Sequence, residues 1–181
     1  MAFLFKQLSI PDVVLVEPTS FLDPRGYFFE NYNESIFHEN GIDVKFIQDN
    51  ISYSKKNVLR GLHFQKTPKA QTKFITVLSG EIFDVAVDLR KDSKTYGKWI
   101  SENLSDKNHK SLYVPKGFAH GFCVMSNEAI VLYKVDQEYS PEHESGIIWN
   151  DSNLKISWPV MEPIISKKDQ ELPLLKNQEK F

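Results

Sequence analysis

A histidine with room beside it is the first chemically suggestive feature of this sequence. His63 lies in the segment 60–65, where a strand would place Gly61 and Gln65 on its own side and Arg60 on the other. Histidine is the side chain whose ordinary titration range includes neutral pH, so it suits proton transfer. The segment therefore predicts either a general base or a histidine that is hydrogen-bonded within a polar core.

A second histidine follows a turn signal. Pro115, Gly117 and His120 have the spacing Pro-x-Gly-x-x-His, which resembles the second motif of the cupin superfamily of small β-barrels. The first cupin motif would supply a His-x-His pair and then a Glu, but the matching segment continues from His63 to Gln65 and contains no acidic residue before Glu81. Because most metal sites need three or four protein ligands, we predict no metal. A barrel without metal must work with acids and bases.

Three further residue types could take part in proton transfer. Lys73 begins an apolar run, so its base is compatible with the interior of a barrel or with a surface lysine whose stem is buried. Tyr133 alternates with two valines, as a core tyrosine or a pocket tyrosine would. Asp169 follows two lysines and on its own reads as a solvated charge. None of these positions is decisive alone.

An aspartate on a strongly alternating segment is a fourth candidate. Residues 83–89 alternate with period two, so that Asp84, Ala86 and Asp88 share one face, opposite the bulkier apolar side chains. If the polar face points into a barrel, we expect Asp84 to pair with Lys73 and keep it charged. The alternative is an aspartate that faces solvent.

Short apolar runs and turn signals indicate the elements that must position these groups. The runs 13–16 and 74–78 suit buried strands, and Ser79 and Gly80 separate the second run from the next strand as a tight hairpin would. One short helix is predicted over 33–40, with Gly41 ending it. Many short strands and little helix indicate an all-β sandwich or barrel.

Composition limits the classes of partner. The chain has 181 residues, of which 41% are hydrophobic and 25% charged, and these values favour a single globular domain over 1–181. A net charge of -2 argues against nucleic acid or an anionic membrane as a partner. The single cysteine, Cys123, cannot form an internal disulfide, and the first residues do not read as a signal peptide. We therefore expect a cytoplasmic protein.

Taken together, the motifs resemble those of the dTDP-4-dehydrorhamnose 3,5-epimerase family over nearly the whole chain. The resemblance implies a cupin-type β-barrel or jelly roll with a few short peripheral helices. It also implies an isomerase that needs no cofactor and inverts carbons 3 and 5 of dTDP-4-keto-6-deoxyglucose, in dTDP-L-rhamnose biosynthesis. The resembling segments are 23–30, 46–50, 58–65, 80–90, 115–122, 149–151, 156–159 and 166–169.

The resemblance also implies roles for particular residues. His63 is the general base, and Asp169 orients it. Tyr133 is the general acid on the opposite face of the sugar, and Lys73 lies near the carbonyl oxygen at carbon 4. Further residues would hold the diphosphate or nearby groups: Arg25, Arg60, His120 and Lys168. Others would contact the nucleotide or sugar: Glu30, Gln48, Asn50 and Glu144. A residue near Arg25 would reach a neighbouring subunit's site, which implies a homodimer.

Three other functions remain compatible with the sequence. A related enzyme could invert only carbon 3 or only carbon 5, or act on another nucleotide sugar, with His63, Asp169 and Tyr133 shared. A metal-dependent cupin enzyme would contain stoichiometric metal. A non-catalytic module that binds sugar nucleotides would use Arg25 and Arg60 but would have no use for a His–Asp pair opposite a tyrosine.

Overall fold

The computed structural model describes residues 3–178, and most of the regular structure is β-strand. The strands are β1 (Phe3–Gln7), β2 (Val14–Pro18), β3 (Phe21–Asp23), β4 (Gly26–Phe28), β5 (Gln48–Lys55), β6 (Leu59–Gln65), β7 (Lys73–Ser79), β8 (Glu81–Asp88), β9 (Trp99–Ser105), β10 (Ser111–Val114), β11 (Phe118–Val124), β12 (Glu128–Val135) and β13 (Glu144–Gly146). The helices are α1 (Glu34–Glu39) and α2 (Lys167–Gln170), with single 3-10 turns at Pro141–His143 and Leu175–Asn177.

Two antiparallel sheets face each other in a jelly roll. One has six strands in the order β1-β2-β10-β7-β12-β5, the other has five in the order β13-β6-β11-β8-β9, and β3 and β4 form a separate hairpin. Buried side chains from both sheets form the core between them, including Ile75 and Val131 from the first sheet and Ala86 and Phe122 from the second. The predicted all-β jelly roll with a few short helices is confirmed.

A second apolar cluster covers the outer face of the five-stranded sheet. Val85 and Val87 of β8 pack there against Ile147, Leu154 and Leu175 from the later part of the chain. Both faces of β8 are buried, and its bulky apolar side chains face this outer cluster. This arrangement explains the alternation of residues 83–89. The polar set faces the interior between the sheets, where Asp84 is 0% exposed.

The predicted helix is confirmed. Asn33 caps α1 by accepting a hydrogen bond from the backbone N–H of Ile36, and Asn40 is the C-cap residue. Gly41 then adopts φ = 83°, a left-handed conformation that glycine reaches without steric cost. Phe37 of this helix is buried against Phe74 on the outer side of the six-stranded sheet.

The predicted hairpin at Ser79 and Gly80 is wrong. The turn is present, but β7 belongs to the six-stranded sheet and β8 to the five-stranded sheet, so the chain crosses between sheets there. Gly80 has φ = 83°, and a Cβ atom on it would lie 2.1 Å from the carbonyl oxygen of Glu128. The backbone is therefore packed tightly at a corner, which a local turn signal cannot distinguish from a hairpin.

The predicted side of Arg60 is also wrong. Along the β6–β11 pair, the register passes from His63 opposite His120 to Arg60 opposite Phe122, so β6 carries one extra residue. Such a bulge interrupts the alternation of side chains. The guanidinium of Arg60 donates to Ser54 Oγ at 2.9 Å and reaches β5 of the facing sheet. Arg60 thus points into the space between the sheets, as His63 does.

Two expectations concern the chain as a whole. The single domain over 1–181 remains a prediction, and its ends, residues 1–2 and 179–181, lie outside the described residues. None of the helices found in residues 3–178 has the length and apolar character to cross a membrane.

The bulge on β6 leads to a prediction about Gly61. Gly61 has φ = 122°, and a Cβ atom on it would lie 2.5 Å from the Cα of Gly121. Gly26 has φ = 128° but no atom within 4 Å of such a Cβ, which makes it a matched control. We expect Gly26→Ala to cost about 1–3 kcal/mol of unfolding free energy from backbone strain. Gly61→Ala should cost about 1–3 kcal/mol more because of overpacking.

Urea unfolding measures the free energy of unfolding of both variants, and the comparison holds when the slope of that free energy against urea concentration is the same in each. Equal losses in the two variants would show that the close approach of β6 to β11 contributes nothing to stability beyond the backbone conformation.

Candidate functional site

A polar pocket opens between the two sheets and brings together most of the residues singled out above. Its walls come from β5, β6, β7, β12 and the segment around β13. The lining residues are Gln48, Asn50, His63, Phe64, Gln65, Gln71, Lys73, Tyr133, Tyr139 and Glu144.

His63 and Asp169 form a hydrogen-bonded pair in this pocket. Nε2 of His63 lies 2.8 Å from Oδ1 of Asp169, whose other oxygen accepts the backbone N–H of Gly61 at 3.2 Å. Ser166 caps α2 and accepts the N–H of Asp169 at 3.1 Å, which orients the short helix. Because a carboxylate only accepts, Nε2 carries the proton, and Nδ1 is the nitrogen that can take up another.

The environment favours the charged form of Asp169. Burial raises its pKa, but the hydrogen bonds from His63, Gly61 and Ser166 outweigh burial, so the pKa lies below its ordinary value. Asp169 is only 4% exposed, whereas the side chain of His63 is 30% exposed toward the pocket. The aspartate is therefore a fixed anion behind a histidine that a bound molecule can reach.

Tyr133 lines the opposite wall of the pocket. It lies on β12 of the six-stranded sheet, whereas His63 lies on β6 of the five-stranded sheet. Burial raises the pKa of Tyr133, and the positive charge of Arg60 opposes this rise. The phenol is thus held in its protonated form, across the pocket from the imidazole.

Lys73 places a cation at the inner end of the pocket. It is the first residue of β7, and its Nζ donates to the carbonyl oxygen of His63 at 3.3 Å. Burial lowers the pKa of Lys73 to about 8, against the opposing effect of Asp84 and Glu144. Of the two positions that the sequence left open for Lys73, the structure shows the one inside the barrel.

Asp84 and His120 lie deeper than the pocket. Nε2 of His120 is 3.0 Å and 2.8 Å from the two carboxylate oxygens of Asp84. His120 is 6% exposed and is not among the side chains that line the described pocket. In this structure His120 therefore lies behind the pocket lining, and its contact with the diphosphate or nearby groups remains a prediction. Asp84 does point inward as expected, but the partner that it hydrogen-bonds is His120, and its effect on Lys73 is through charge.

The mouth of the pocket is closed on one side by an ion pair. Lys168 Nζ lies 2.5 Å from Glu144 Oε2, and the hydroxyl of Tyr139 donates to the same oxygen at 2.6 Å. Burial raises the pKa of Glu144, but the bonds from Lys168 and Tyr139 outweigh it and lower the pKa overall. Both residues predicted from the resemblance, Glu144 and Lys168, are thus at the pocket.

Two amides project from β5 into the same space. Gln48 and Asn50 alternate along the strand, so both face the pocket, and Gln48 Nε2 donates to Asn50 Oδ1 at 2.9 Å. Gln48 Oε1 also accepts the backbone N–H of Tyr139 at 3.0 Å. These amides can present both donors and acceptors to a polar ligand.

Two of the predicted residues lie away from the pocket. Arg25 is at the tip of the β3–β4 hairpin, where its side chain is 90% exposed and pairs with Asp23 at 2.6 Å. Glu30 accepts from Asn33 Nδ2 at 3.0 Å, next to the start of α1. Neither lines the pocket of its own chain.

Sequence reasoning missed several lining residues. Alternation placed Gln65 on the same strand face as His63, and Gln71 precedes Lys73 by two residues, but neither was assigned to the site. Tyr139 lies in the irregular segment before Pro141 and carried no local signal. Within residues 3–178, no three His, Cys, Asp or Glu side chains are grouped as ligands of a metal ion would be.

Comparisons with known proteins agree with this geometry. The sequence model of a family described as dTDP-4-dehydrorhamnose 3,5-epimerase matches residues 7–177. The chain is 51% identical to the dTDP-4-dehydrorhamnose 3,5-epimerase of Methanothermobacter thermautotrophicus over 179 residues, which is 97% of this chain and 96% of the relative.

Two solved structures superpose closely. The enzyme of the same description from Bacillus anthracis, with TDP and PPi bound, has a TM-score of 0.94 at 52% identity, covering 96% of this chain and 99% of that one. The dTDP-6-deoxy-D-glucose-3,5-epimerase of Legionella pneumophila, in complex with dTDP-4-keto-L-rhamnose, has a TM-score of 0.95 at 41% identity, covering 98% and 95%.

The His63–Asp169 pair predicts how stability depends on pH. A carboxylate whose folded-state pKa is lowered stabilises the fold above its unfolded value of about 3.9, and this stabilisation is lost as pH falls through the lower folded value. We expect Asp169→Asn to cost about 1–3 kcal/mol of unfolding free energy at pH 7. The difference from the unmodified protein should shrink as pH falls from about 5 toward 3.

Urea unfolding at several pH values measures this dependence. Asp49→Asn is the control, because Asp49 is half exposed and pairs with Lys134 on the surface. A difference between Asp169→Asn and the unmodified protein that stays constant down to pH 3 would contradict the prediction.

Proposed function

The chain belongs to the dTDP-4-dehydrorhamnose 3,5-epimerase family, and on that premise we propose how its pocket inverts carbons 3 and 5 of a dTDP-4-keto-6-deoxyhexose. The protein is an epimerase and therefore an isomerase. The observation that carries the proposal is the placement of a His–Asp pair and a tyrosine on opposite walls of one pocket, with a lysine at its inner end.

Inversion next to a ketone requires removal of a proton from one face of the sugar and return of a proton to the other. The carbon acid is much weaker than any side-chain acid, so a base alone is insufficient. The enolate oxygen that develops must be stabilised by a fixed positive charge or by donors. The ketone itself accepts the electron pair, which is why the family chemistry calls for no redox cofactor.

His63 is the proposed base. Asp169 holds Nε2 protonated, so Nδ1 can take the proton from the carbon, and the carboxylate stabilises the imidazolium that results. A base positioned in this way contributes on the order of 10²- to 10⁴-fold to the rate. After proton transfer, the pair carries one positive and one negative charge, and it is neutral overall.

Lys73 is the proposed stabiliser of the enolate. Its ammonium lies at the inner end of the pocket, next to the strand that carries His63. A cation in a site with little water acts more strongly on a developing negative charge than it would in bulk solvent. The lowered pKa of Lys73, about 8, also makes it able to share a proton with the enolate oxygen.

Tyr133 is the proposed acid. It faces the substrate from the wall opposite His63, and burial keeps its pKa above the ordinary value. A phenol is a weak acid at neutral pH, but an enolate carbon is a much stronger base, so the transfer is favourable. Because the base and the acid act from opposite faces, each protonation inverts the carbon.

Charged and polar groups around the mouth are the proposed contacts for the nucleotide. Arg60 offers a guanidinium suited to bidentate binding of a phosphate, and Lys168 offers an ammonium next to Glu144 of the pocket. Gln48, Asn50 and Glu144 line the pocket as donors and acceptors for the sugar or the base. Support comes from the Bacillus anthracis relative, which was solved with TDP bound.

We also propose that the protein acts as a homodimer. The β3–β4 hairpin exposes Leu22 at 81%, Phe28 at 63% and Tyr27 at 55%, an unusual concentration of apolar surface. Arg25 is at the tip of the same hairpin. A second copy that covered this surface would bury the apolar side chains, and the hairpin could carry Arg25 into the partner's pocket.

Cytoplasmic location remains a prediction from the sequence. The buried single cysteine, Cys123, is consistent with a reducing compartment. The expectations that the protein needs no cofactor and binds neither nucleic acid nor a membrane also remain predictions.

Deuterium incorporation tests the reaction directly. We expect the protein, incubated with dTDP-4-keto-6-deoxyglucose in D₂O, to incorporate two deuterons, with proton NMR couplings that report inversion at carbons 3 and 5. One deuteron would indicate a single-centre epimerase instead. No incorporation by the folded protein would reject this substrate, and metal analysis would then test the alternative of a metal-dependent enzyme.

Two variants separate the base from the acid. His63→Asn should lower exchange at both carbons by about 10²- to 10⁴-fold, because no base remains to form the enolate. Tyr133→Phe should still exchange protons with D₂O, because His63 can return a deuteron to the face it came from, but should lose inversion. Exchange that is lost equally in both variants would contradict the assignment of opposite faces.

Subunit mixing tests the role of Arg25. If Arg25 serves the partner's pocket, a heterodimer of Arg25→Ala and His63→Asn chains contains one complete site and one doubly defective site. Random mixing of the two inactive variants should then restore about a quarter of the unmodified activity. Mixed chains that stay inactive, or a protein that remains a single chain by light scattering, would contradict the proposal.

A further inference from the structure

Behind the pocket, a buried, hydrogen-bonded His–Asp pair has no part in the mechanism given above. Asp84 on β8 is 0% exposed and His120 on β11 is 6% exposed, and Nε2 of His120 lies 3.0 Å and 2.8 Å from the two carboxylate oxygens. Burying a charged carboxylate is costly unless it is hydrogen-bonded and balanced by a positive charge. The pair therefore needs a reason to be there rather than an apolar core.

The pair lies next to the groups that would act on the substrate. His120 is the direct cross-strand partner of His63 on β6. Asp84 interacts electrostatically with Lys73, which is the residue at the inner end of the pocket. The carboxylate thus connects a histidine on one side with the pocket lysine on the other.

We propose that His120 and Asp84 are positioning residues that keep Lys73 protonated beside the substrate carbonyl. His120 donates to Asp84 and so keeps it ionised, and the ionised carboxylate provides the negative charge that retains a proton on Lys73. This inference rests on the proposed function for its catalytic meaning, although the charge state of Lys73 can be measured without it.

Of the charged groups around Lys73, Asp84 is the one that we expect to affect its protonation most. The titratable groups that face Lys73 are His63 on β6, Tyr133 on β12, Asp84 on β8 and Glu144 on β13. Glu144 already pairs with Lys168 and accepts from Tyr139 at the mouth, so much of its charge is compensated. Asp84 is the buried carboxylate on the inner side, where solvent screens the interaction least.

His120 acts on Lys73 indirectly, through the charge state of Asp84. Burial raises the pKa of Asp84 above its ordinary value, and the charge and hydrogen bond of His120, together with the charge of Lys73, offset only part of this rise. Without a donor at position 120, burial would favour the neutral carboxylic acid. A neutral Asp84 would leave Lys73 without its inner counter-charge, so the loss of His120 should resemble the loss of Asp84.

The sign of the pH effect follows from these charges. Lys73 is a cation below its pKa of about 8 and loses the proton as pH rises through that value. Removing Asp84 should move this loss to lower pH. The activity of Asp84→Asn should therefore fall about fivefold or more relative to the unmodified protein at pH 8, and recover to within about threefold at pH 6.

The direct measurement is the titration of Lys73. Competitive acetylation by acetic anhydride over a range of pH, read by mass spectrometry of the peptide that contains Lys73, gives the deprotonated fraction of that lysine. We expect half-titration near pH 8 in the unmodified protein and below about 7 in Asp84→Asn. Asp49→Asn, which removes the carboxylate partner of the surface residue Lys134, should leave the Lys73 titration unchanged.

Two variants of His120 keep the test informative if Asp84→Asn fails to fold. His120→Gln retains an N–H donor that can reach the carboxylate, whereas His120→Ala does not. The Ala variant should lower the pH at which Lys73 is half titrated, as Asp84→Asn does. The Gln variant should keep that pH near the value of the unmodified protein. Folding of each variant is checked by urea unfolding.

The outcomes separate this inference from the proposed function. A Lys73 titration that is the same in Asp84→Asn as in the unmodified protein would overturn the role of Asp84, and equal titrations in the two His120 variants would overturn that of His120. If the titration shifts as expected but no protein form, including the unmodified one, exchanges protons with the nucleotide sugar, the proposed function fails and the charge coupling stands.

Discussion

The hydrogen bond between His63 and Asp169 is the contact on which the arrangement of the pocket depends. It joins side chains 106 residues apart in the sequence, one on a central strand and one on a four-residue helix. So short a helix has little stability of its own. It is held by its Ser166 cap, by the Asp169 bond to the backbone of Gly61, and by the packing of the later chain over the outer face of the sheet.

The same pocket concentrates charge where water is scarce. Lys73 at its inner end, Asp84 behind it and Glu144 at its mouth each lie where burial disfavours the ionised form, and each is opposed by a partner of the other sign. Such an arrangement contributes less to stability than an apolar core of the same volume would. In the proposed mechanism its effect is on chemistry, because fixed charges in a poorly solvated site would stabilise a developing enolate without having to reorganise.

Local patterns explain which expectations were confirmed and which were wrong. The alternation of residues 83–89 correctly placed Asp84 opposite the bulky apolar side chains, but it left open whether that face points inward, as the structure shows that it does. The helix signals around Asn33 and Gly41 were correct because capping is a short-range effect. The hairpin at Gly80 was wrong because a tight turn does not report which sheet the next strand joins. Arg60 was assigned to the wrong side because a bulge in β6 interrupts the period-two pattern.

Residue types and motifs were enough to predict the all-β class and the family, because these follow from short-range periodicity and from segments that retain their order along the chain. The roles of His63, Lys73, Tyr133 and Asp169 were implied only by the resemblance and remain proposals. The partners could not be read in this way. The bond between His120 and Asp84 behind the pocket depends on the pairing of two strands of one sheet, whose bonded residues are 36 positions apart. The bond between Tyr139 and Glu144 joins residues five positions apart, and it depends on the path of an irregular segment. Strand pairing and the path of an irregular segment set these distances, and no local pattern encodes either of them.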